Sequence, residues 1–376
     1  MRCIECLVVP FICLFRALVH YCPCLFKHSL YFSKSLQMQL DSARLGAGGW
    51  YSDQSKTYTS VRDTFYTTMA ALYHSKQDST RHLERTLQKI SAQMRNTGQV
   101  PCVFRKTWFD NNAPVYLSDR CGVPVVDANI QYIIMTWWLY THYDIFDQKR
   151  YLLCERAWEW IENHRLQDAI IEPEDASWET TRAGGGALLL TNVLATQAIR
   201  CMELLSIVRR HTQNADRFKK LHDRFLARWV NEIYKTQQTL PKILAIAWGM
   251  VPKTFIDSFQ EQIHQPWMPL WTDGPLKMQP TTHAWLHGQS DIHTTVVWPW
   301  IGFLWICVLV DKHKYDLAKT WWASYLEFHR PHTLYDMYTT NGKPIRRAFV
   351  RAKPAHTLTL GMQLAAKHCI DNIGHC

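Results

Sequence analysis

The feature that most constrains the fold is a succession of amphipathic helical segments that begins near Tyr58 and continues almost to the last residue. In the clearest segment, apolar residues follow the spacing i, i+3, i+4, i+7 and i+8 of one helix face. These residues are Ile130, Ile133, Ile134, Trp137 and Trp138. Similar patterns predict helices over about 62–76, 80–97, 150–164, 187–209, 214–236, 254–264, 296–311, 315–328 and 356–369. Alternation typical of strands is confined to short pieces near 100–105 and 346–351.

Two kinds of connection alternate between these helices. Some are tight, as at Lys76–Ser79 and Tyr143–Gln148, and others are long and rich in Trp, Asp, Gly and Pro. The long connections cover 98–126, 166–186, 265–295 and 330–355. This alternation is typical of a ring of helical hairpins whose long loops share one face, and a functional site is expected on that face.

Composition and charge narrow the function class. The 376 residues are 47% hydrophobic and 20% charged, as in a folded globular protein, and 17 Trp and 16 Tyr supply rings for a core or for sugar stacking. The net charge is +10, but Lys and Arg are scattered and no nucleic-acid-binding motif is present. We therefore expect a solvated basic surface and no nucleic-acid partner.

The first residues differ from the rest. Met1–Phe26 is apolar and holds five of the 12 cysteines, but Glu5, Arg16 and His20 interrupt it, so it does not resemble a transmembrane span. A weak membrane anchor, a first helix of the ring and a start codon placed too early all fit this segment. Membrane contact, if there is any, is expected only through residues 1–26.

The remaining cysteines lie far apart and without the spacing of metal ligands. We therefore expect no metal site, a reducing compartment and a cytoplasmic location. We divide the chain into an apolar, Cys-rich head at 1–40, of uncertain role, and a single catalytic domain at 41–376.

Acidic residues at the starts of helices and in the long loops are the candidates for chemistry, because a pair of carboxyl groups can supply the acid and the base of a hydrolysis. Asp63 follows Arg62 at the start of a helix, where it either complements the helix dipole or joins Arg62 in binding sugar hydroxyls. Asp127 precedes the Ile/Trp helix and fits either a helix cap or a similar binding role.

Two further acids lie in the long loops. Glu179 follows Trp178, whose apolar ring favours the raised pKa that a proton donor needs; a solvated acidic loop is the alternative. Asp336 lies between two tyrosines ahead of an Asn-Gly turn, where it serves either to orient a water molecule or as a structural turn residue. Trp298 and Trp300 begin a buried helix and fit a sugar platform or the core.

The order and spacing of these segments resemble the six-hairpin glycosidases, particularly glucoamylases and the amylo-α-1,6-glucosidase domains of glycogen-debranching enzymes. The resemblance runs from about residue 49 to 368. It rests on the stretches YTSVRDTFYTTMAAL, VPVVDANIQYIIMTWW, SWETTRAGGGALLL, VVWPWIGFLW and LYDMYTTNGKP. The resemblance implies an all-α fold, the (α/α)6 toroid.

The resemblance also implies a function and its residues. Glu179 would be the general acid and Asp336 the general base of an inverting hydrolase that cleaves α-glucosidic bonds in glycogen, a maltooligosaccharide or a related glucoside. No metal or organic cofactor is needed for that reaction. The implied sugar-binding residues are Arg62, Asp63, Asp127, Trp178, Trp298 and Trp300.

The chain departs from the family's pattern at two positions. The base loop normally carries Glu, and Asp336 is one methylene shorter; debranching enzymes often place the acid two residues after the Trp, where this chain has Thr180. The Asp-Arg-Arg acid loop of neutral invertases is absent. The sequence leaves the linkage, exo or endo action and the oligomeric state open.

Two other functions fit the same toroid. A sugar epimerase or isomerase would use a histidine base, and the 265–295 loop contains His283, His287 and His293. A toroid that has lost catalysis and binds glycans or proteins is the other alternative, and the shorter Asp336 favours it.

Overall fold

The protein is described by a computed structural model that covers most of the chain after its head. The described residues are 58–74, 76–105, 113–117, 124–171, 187–236, 238–263, 296–328, 334–336, 338–339, 343–344, 346–347, 350–351 and 357–373. Within them the chain forms eleven α-helices and nine short strands.

The helices form two concentric layers. The inner helices are α1 (Val61–His74), α3 (Asp127–Tyr143), α5 (Leu189–Val208), α7 (Thr239–Ala247), α9 (Pro299–Asp311) and α11 (Thr357–Asp371). The outer helices are α2 (Lys76–Ala92), α4 (Gln148–Glu162), α6 (Thr212–Lys235), α8 (Phe255–Gln262) and α10 (Tyr315–Phe328). Each inner helix contacts the next, and α11 contacts α1, so the described inner helices close into a ring of six. The predicted (α/α)6 toroid is confirmed.

The sequence explains which helices are inside. The α9 segment is apolar on all sides, and 11 of its 13 residues are buried, from Pro299 to Leu309. The α6 segment is polar except for one stripe, which packs inward against α5 and α7. The stripe consists of Phe218, Leu221, Phe225, Trp229 and Ile233. A helix that is apolar all round must be covered on all sides, whereas a single stripe needs one neighbouring layer.

The inner helices all point the same way. At their C-terminal ends, the Nζ of Lys312 donates to the carbonyl oxygen of Ala247 at 3.2 Å, and the rings of His74 and His368 lie 5.1 Å apart. These contacts align α9 with α7 and α1 with α11. Each outer helix runs back along its inner partner after a short connection, so consecutive inner helices are parallel. All six N-termini therefore meet at one end, which we call the N-terminal end of the ring.

A buried asparagine fixes the start of α3. The Oδ1 of Asn129 accepts from the backbone N–H of Val100 at 2.9 Å, and its Nδ2 donates to the carbonyl oxygens of Gly98 and Ala157 at 2.9 and 3.1 Å. Gly98 has a φ of +93°, and a Cβ there would lie 2.1 Å from the carbonyl oxygen of Arg156. Only glycine fits this turn, which ties the loop after α2 to the ring.

The chain also forms short antiparallel strands outside the helices. The strands are β1 (Tyr58–Ser60), β2 (Val103–Arg105), β3 (Ala113–Val115), β4 (Arg165–Leu166), β5 (Ala169–Ile170), β6 (Val296–Val297), β7 (Tyr338–Thr339), β8 (Arg346–Arg347) and β9 (Val350–Arg351). They form the sheet β1–β2–β3 and three pairs, β4–β5, β6–β7 and β8–β9. The strand-like pieces predicted near 100–105 and 346–351 correspond to β2 and to β8–β9. Because β1 leads directly into α1, the three-stranded sheet lies at the N-terminal end of the ring.

The sequence pattern missed α7. This helix has nine residues, eight of them buried, and Pro241 in its first turn. An apolar run this short shows no amphipathic stripe, so periodicity does not separate it from a loop or strand. The connection before it, at 236–238, is the one short connection at the N-terminal end of the ring among the described elements. The predicted head at 1–40 lies outside the described residues, and in the described part of the chain no helix combines the length and apolar character that a membrane crossing requires.

Helix α7 buries a lysine. Lys242 is 1% exposed; its Nζ donates to the Oε1 of Gln262 and lies 5.5 and 5.8 Å from the ring centres of Phe259 and Phe255. Burial lowers the pKa of Lys242 below its ordinary value of 10.5. We expect Lys242→Met to raise the free energy of unfolding at pH 7 by about 1 kcal/mol, because an apolar side chain of similar length carries no desolvation cost.

The lowered pKa of Lys242 also sets the direction in which the free energy of unfolding changes with pH. Between the lowered folded pKa of Lys242 and 10.5, the unfolded chain binds more protons than the folded one, so this residue's contribution to stability rises with pH. The gain in the free energy of unfolding from Lys242→Met, measured by urea unfolding, should therefore be smaller at pH 9.5 than at pH 7. Lys235→Met is the control, since the Lys235 side chain is 72% exposed. An equal gain in both variants would contradict the burial argument.

Candidate functional site

A buried ion pair joins the first turns of two inner helices. Arg62, the second residue of α1, directs its Nε and Nη2 to one oxygen, the Oδ2 of Asp127, at 2.8 and 2.6 Å. Asp127 is the first residue of α3 and is 4% exposed. Two charge-assisted hydrogen bonds from one guanidinium hold this carboxylate oxygen in place. Two residues that the sequence selected separately are thus in contact at the N-terminal end of the ring.

The structure excludes one of the two roles considered for Asp127, and the binding role remains a prediction. Helix α3 has Val126 at its N-cap position, and no side-chain capping bond is formed there. The carboxylate of Asp127 binds Arg62 instead, across 65 residues of sequence. Helix capping therefore does not explain this acid.

Asp63 lies beside the ion pair in the first turn of α1. Its backbone N–H donates to the Oγ of Ser60 at 3.3 Å, which makes Ser60 the cap of this helix. The position is compatible with the dipole role and with a sugar-binding role. Its assignment as a sugar ligand remains a prediction.

Tyr66 is a residue of this region that the sequence did not select. It lies one helical turn after Arg62, is 1% exposed, and its ring centre is 4.8 Å from that of Trp300. Burial raises the pKa of the Tyr66 hydroxyl well above 10. The positive charge of Arg62 opposes this rise and the negative charge of Asp127 adds to it, so the hydroxyl lies within range of both charges. An aromatic residue on an apolar helix face has the pattern of a core residue, so the sequence carried no separate signal for it.

The two tryptophans at the start of α9 differ in environment. Trp298 is the N-cap residue, is partly buried and packs against the core, and it remains a candidate platform. Trp300 is 1% exposed and packs against Tyr66, so it presents no open ring face to a sugar. This packing fits the core role considered for Trp300, and its assignment as a sugar platform remains a prediction.

The segment that contains Asp336 joins the same region through a pair of strands. Val297 pairs with Tyr338, and Val296 pairs with Thr339. Asp336, two residues before Tyr338, is 5% exposed. The segment that leads into α9 and the segment that carries the candidate base Asp336 are therefore neighbours. Contacts and strand pairing thus bring the segments of Arg62, Asp127, Trp300 and Asp336 into one neighbourhood at the N-terminal end of the ring.

The candidate acid loop lies outside the described residues, but its flanks do not. Outside the described residues lie Trp178 and Glu179 of this loop and, in the 265–295 loop, the three histidines of the epimerase hypothesis. The Oδ1 of Asn192, in the first turn of α5, accepts from the backbone N–H of Ile170 at 2.7 Å. Its Nδ2 donates to the carbonyl oxygens of Ile170 and Leu188 at 3.1 and 2.8 Å. Asn192 therefore ties the chain before residue 172 to the chain after residue 186, at the N-terminal end of α5.

Metal chemistry has no candidate among the described residues. No group of three or more His, Cys, Asp or Glu in that part of the chain is arranged to hold a metal ion. The expectation that the reaction needs no metal or cofactor remains a prediction.

Comparison with known proteins identifies the fold. No family model matches the sequence, and no curated protein matches it either. Among solved structures, a GH63 mannosylglycerate hydrolase from Thermus thermophilus in complex with Tris aligns with a TM-score of 0.60 and 10% identity, covering 88% of this chain and 98% of the other. A wild-type glycosidase aligns with a TM-score of 0.64 and 10% identity, covering 89% and 96%. A sugar epimerase from a ruminal bacterium aligns with a TM-score of 0.59 and 11% identity, covering 91% and 96%.

These structures share one architecture with this chain over most of their length. The chain therefore has the same all-helical toroid fold as these proteins, as the resemblance of its motifs implied. At such low identity the similarity establishes the fold alone, and one fold hosts several chemistries. A glycosidase variant of the same fold is in complex with glucose, with a TM-score of 0.63 and 10% identity, covering 89% of this chain and 96% of that one.

Proposed function

We propose that the protein is an inverting glycoside hydrolase that cleaves α-glucosidic bonds in glycogen, a maltooligosaccharide or a related glucoside. The observation that carries the proposal is the convergence of the Arg62–Asp127 pair and the buried Asp336 segment at the N-terminal end of the ring. The six inner helices begin at this end, so their positive dipole ends favour carboxylates there. The hydrolases and the glucose-bound glycosidase of the same fold support a sugar as the ligand.

The reaction assigns one role to each acid. Glu179 donates a proton to the oxygen of the leaving group, and Asp336 takes a proton from the water that attacks the anomeric carbon on the opposite face. For inversion, the two carboxyl groups should lie about 6.5–9.5 Å apart. The hydrogen bonds of Asn192 support this arrangement, because they hold both ends of the Glu179 loop at the end of the ring where Asp336 lies.

The ion pair contributes to binding. Asp127 uses Oδ2 for Arg62, which leaves its second carboxylate oxygen for a sugar hydroxyl. Arg62 and Asp63 are the other proposed ligands of the sugar hydroxyls beside it, and Trp178, Trp298 and Trp300 are the proposed ring platforms. We expect the partner to be an oligosaccharide or polysaccharide and not a nucleic acid.

A glucose-release assay tests the proposal. Maltose, isomaltose, trehalose, sucrose and glycogen are incubated with the wild type and with Glu179→Gln and Asp336→Asn. We expect release of β-glucose from at least one of the α-glucosides by the wild type, observed by NMR before mutarotation. Glu179→Gln should release it about 10²- to 10⁴-fold more slowly, since a general acid typically contributes that factor. A wild type inert on all five sugars, with sugar binding retained, would favour the toroid that has lost catalysis.

A sugar epimerase is the second candidate, because a sugar epimerase has the same fold and a similar alignment. Its base would be one of His283, His287 and His293. Conversion of a free sugar without release of glucose from any glycoside, abolished by a His→Asn substitution in this loop, would favour it over hydrolysis.

A further inference from the structure

Tyr338 closes the turn that carries Asp336. Its hydroxyl oxygen accepts a hydrogen bond from the backbone N–H of Tyr335 at 2.8 Å, and the two rings meet edge to face with centres 6.1 Å apart. Asp336 lies between the two ends of this bond. Tyr338 is 3% exposed and Asp336 5% exposed, so both side chains lie within the protein interior.

Tyr338 is itself anchored to the ring. Its backbone pairs with Val297, which is fully buried and lies two residues before the first residue of α9. The tyrosine therefore connects the wall of the ring to the peptide that holds Asp336. The chain of contacts runs from Val297 through the strand pair to Tyr338, and from its hydroxyl to the Tyr335 N–H.

The hydroxyl of Tyr338 stays protonated at any working pH. Burial raises its pKa to about 12; the bond from the Tyr335 backbone opposes this shift, and the nearby Tyr335 and Asp336 charges add to it. A neutral hydroxyl accepts the Tyr335 N–H without adding a second negative charge beside Asp336.

We infer that Tyr338 is a positioning residue that sets the backbone orientation of Asp336 for activation of water. This inference rests on the proposed function, in which Asp336 is the base. Reacting groups must be held within a few tenths of an ångström, and an aspartate has one rotatable bond fewer than the glutamate usual in the family. Its carboxylate therefore depends more on where the backbone is placed.

Tyr338→Phe tests the inference because it keeps the ring and removes the acceptor. We expect kcat on the best α-glucoside to fall about 10- to 100-fold, with KM changed less than about threefold, because a misplacement of about 1 Å costs up to about this factor in rate. The matched control is Tyr151→Phe, another buried tyrosine whose hydroxyl bonds Ser206 at 3.0 Å, at the opposite end of the ring. Tyr151→Phe should lower the melting temperature by a similar amount and leave kcat unchanged.

Amide hydrogen exchange gives a readout that needs no substrate. The Tyr335 amide should exchange faster in Tyr338→Phe than in the wild type, and no faster in Tyr151→Phe. A wild-type kcat in Tyr338→Phe, with a melting temperature lowered as in Tyr151→Phe, would overturn the inference and leave Tyr338 a structural residue. An inert wild type would overturn the proposed function, and the positioning role with it, even if the exchange difference were present. Unchanged exchange at Tyr335 would overturn the inference alone.

Discussion

Asp336→Asn is expected to lower kcat on the hydrolysed glucoside by about 10²- to 10⁴-fold while KM changes by less than about threefold. The amide has nearly the shape of the carboxylate, so it fits the same buried turn, but it does not accept a proton from water. Asp336 is 5% exposed in a turn closed by Tyr338, which limits compensation by movement. Initial rates at saturating and limiting substrate separate the two constants.

Asp336→Glu addresses the departure from the family's pattern. It adds one methylene, which advances the carboxylate by about 1.5 Å. We expect kcat to fall about 10- to 100-fold while staying above that of Asp336→Asn, because the basic group is retained but is displaced by more than 1 Å. An activity as low as that of Asp336→Asn would show that the short side chain and its turn are matched to each other.

The control for these variants is Asp223→Asn. The Asp223 side chain is 59% exposed on the outer helix α6 and pairs with Lys219. An exposed pair of this kind contributes at most about 1 kcal/mol, so activity and folding should both stay at wild-type values. If Asp336→Asn were as active as Asp223→Asn, Asp336 would not be the base.

The Arg62–Asp127 pair is expected to give the largest change in stability. The side chains of Arg62 and Asp127 are 15% and 6% exposed. Arg62→Met leaves the carboxylate of Asp127 buried without its partner, and such a loss typically costs about 3–5 kcal/mol in the free energy of unfolding. Urea unfolding at pH 7 measures this change.

The double variant Arg62→Met, Asp127→Leu separates stability from function. An apolar pair of similar volume carries no desolvation cost, so we expect the free energy of unfolding to return to within about 1 kcal/mol of the wild type. Substrate binding should not return, because neither side chain bonds a sugar hydroxyl. A double variant that regains both stability and activity would show that the pair is structural only.

The resemblance of the short motifs anticipated the order of the segments that converge at the N-terminal end of the ring. It did not anticipate how Asp127 is used. A helix cap is a local interaction that the residues around Asp127 predict by themselves, whereas its actual partner, Arg62, is 65 residues away. No periodicity encodes a contact over that distance, so only the folded ring showed that Asp127 pairs with Arg62 and does not cap its helix.

The two tryptophans at the start of α9 also show that the sequence pattern does not predict tertiary contacts. Trp298 and Trp300 both occur at the start of one apolar helix, and their composition and spacing fit a platform as well as a core. Packing against Tyr66 buries Trp300, and Trp298 stays partly exposed at the helix N-cap. Tyr66 itself has no distinguishing sequence signal, because what sets it apart is its packing against Trp300 on α9.

The sequence by itself determined the described helices other than α7, since the 3.6-residue period and the all-round apolarity of segments such as Pro299–Asp311 depend only on neighbouring residues. It also placed the long connections on one face, because short and long loops alternate. The tertiary structure decided which side chains face one another at that end: Arg62 with Asp127, Tyr66 with Trp300, and Tyr338 with the backbone of Tyr335. These contacts join residues on different inner helices or within an irregular turn, and their geometry exists only once the ring has closed.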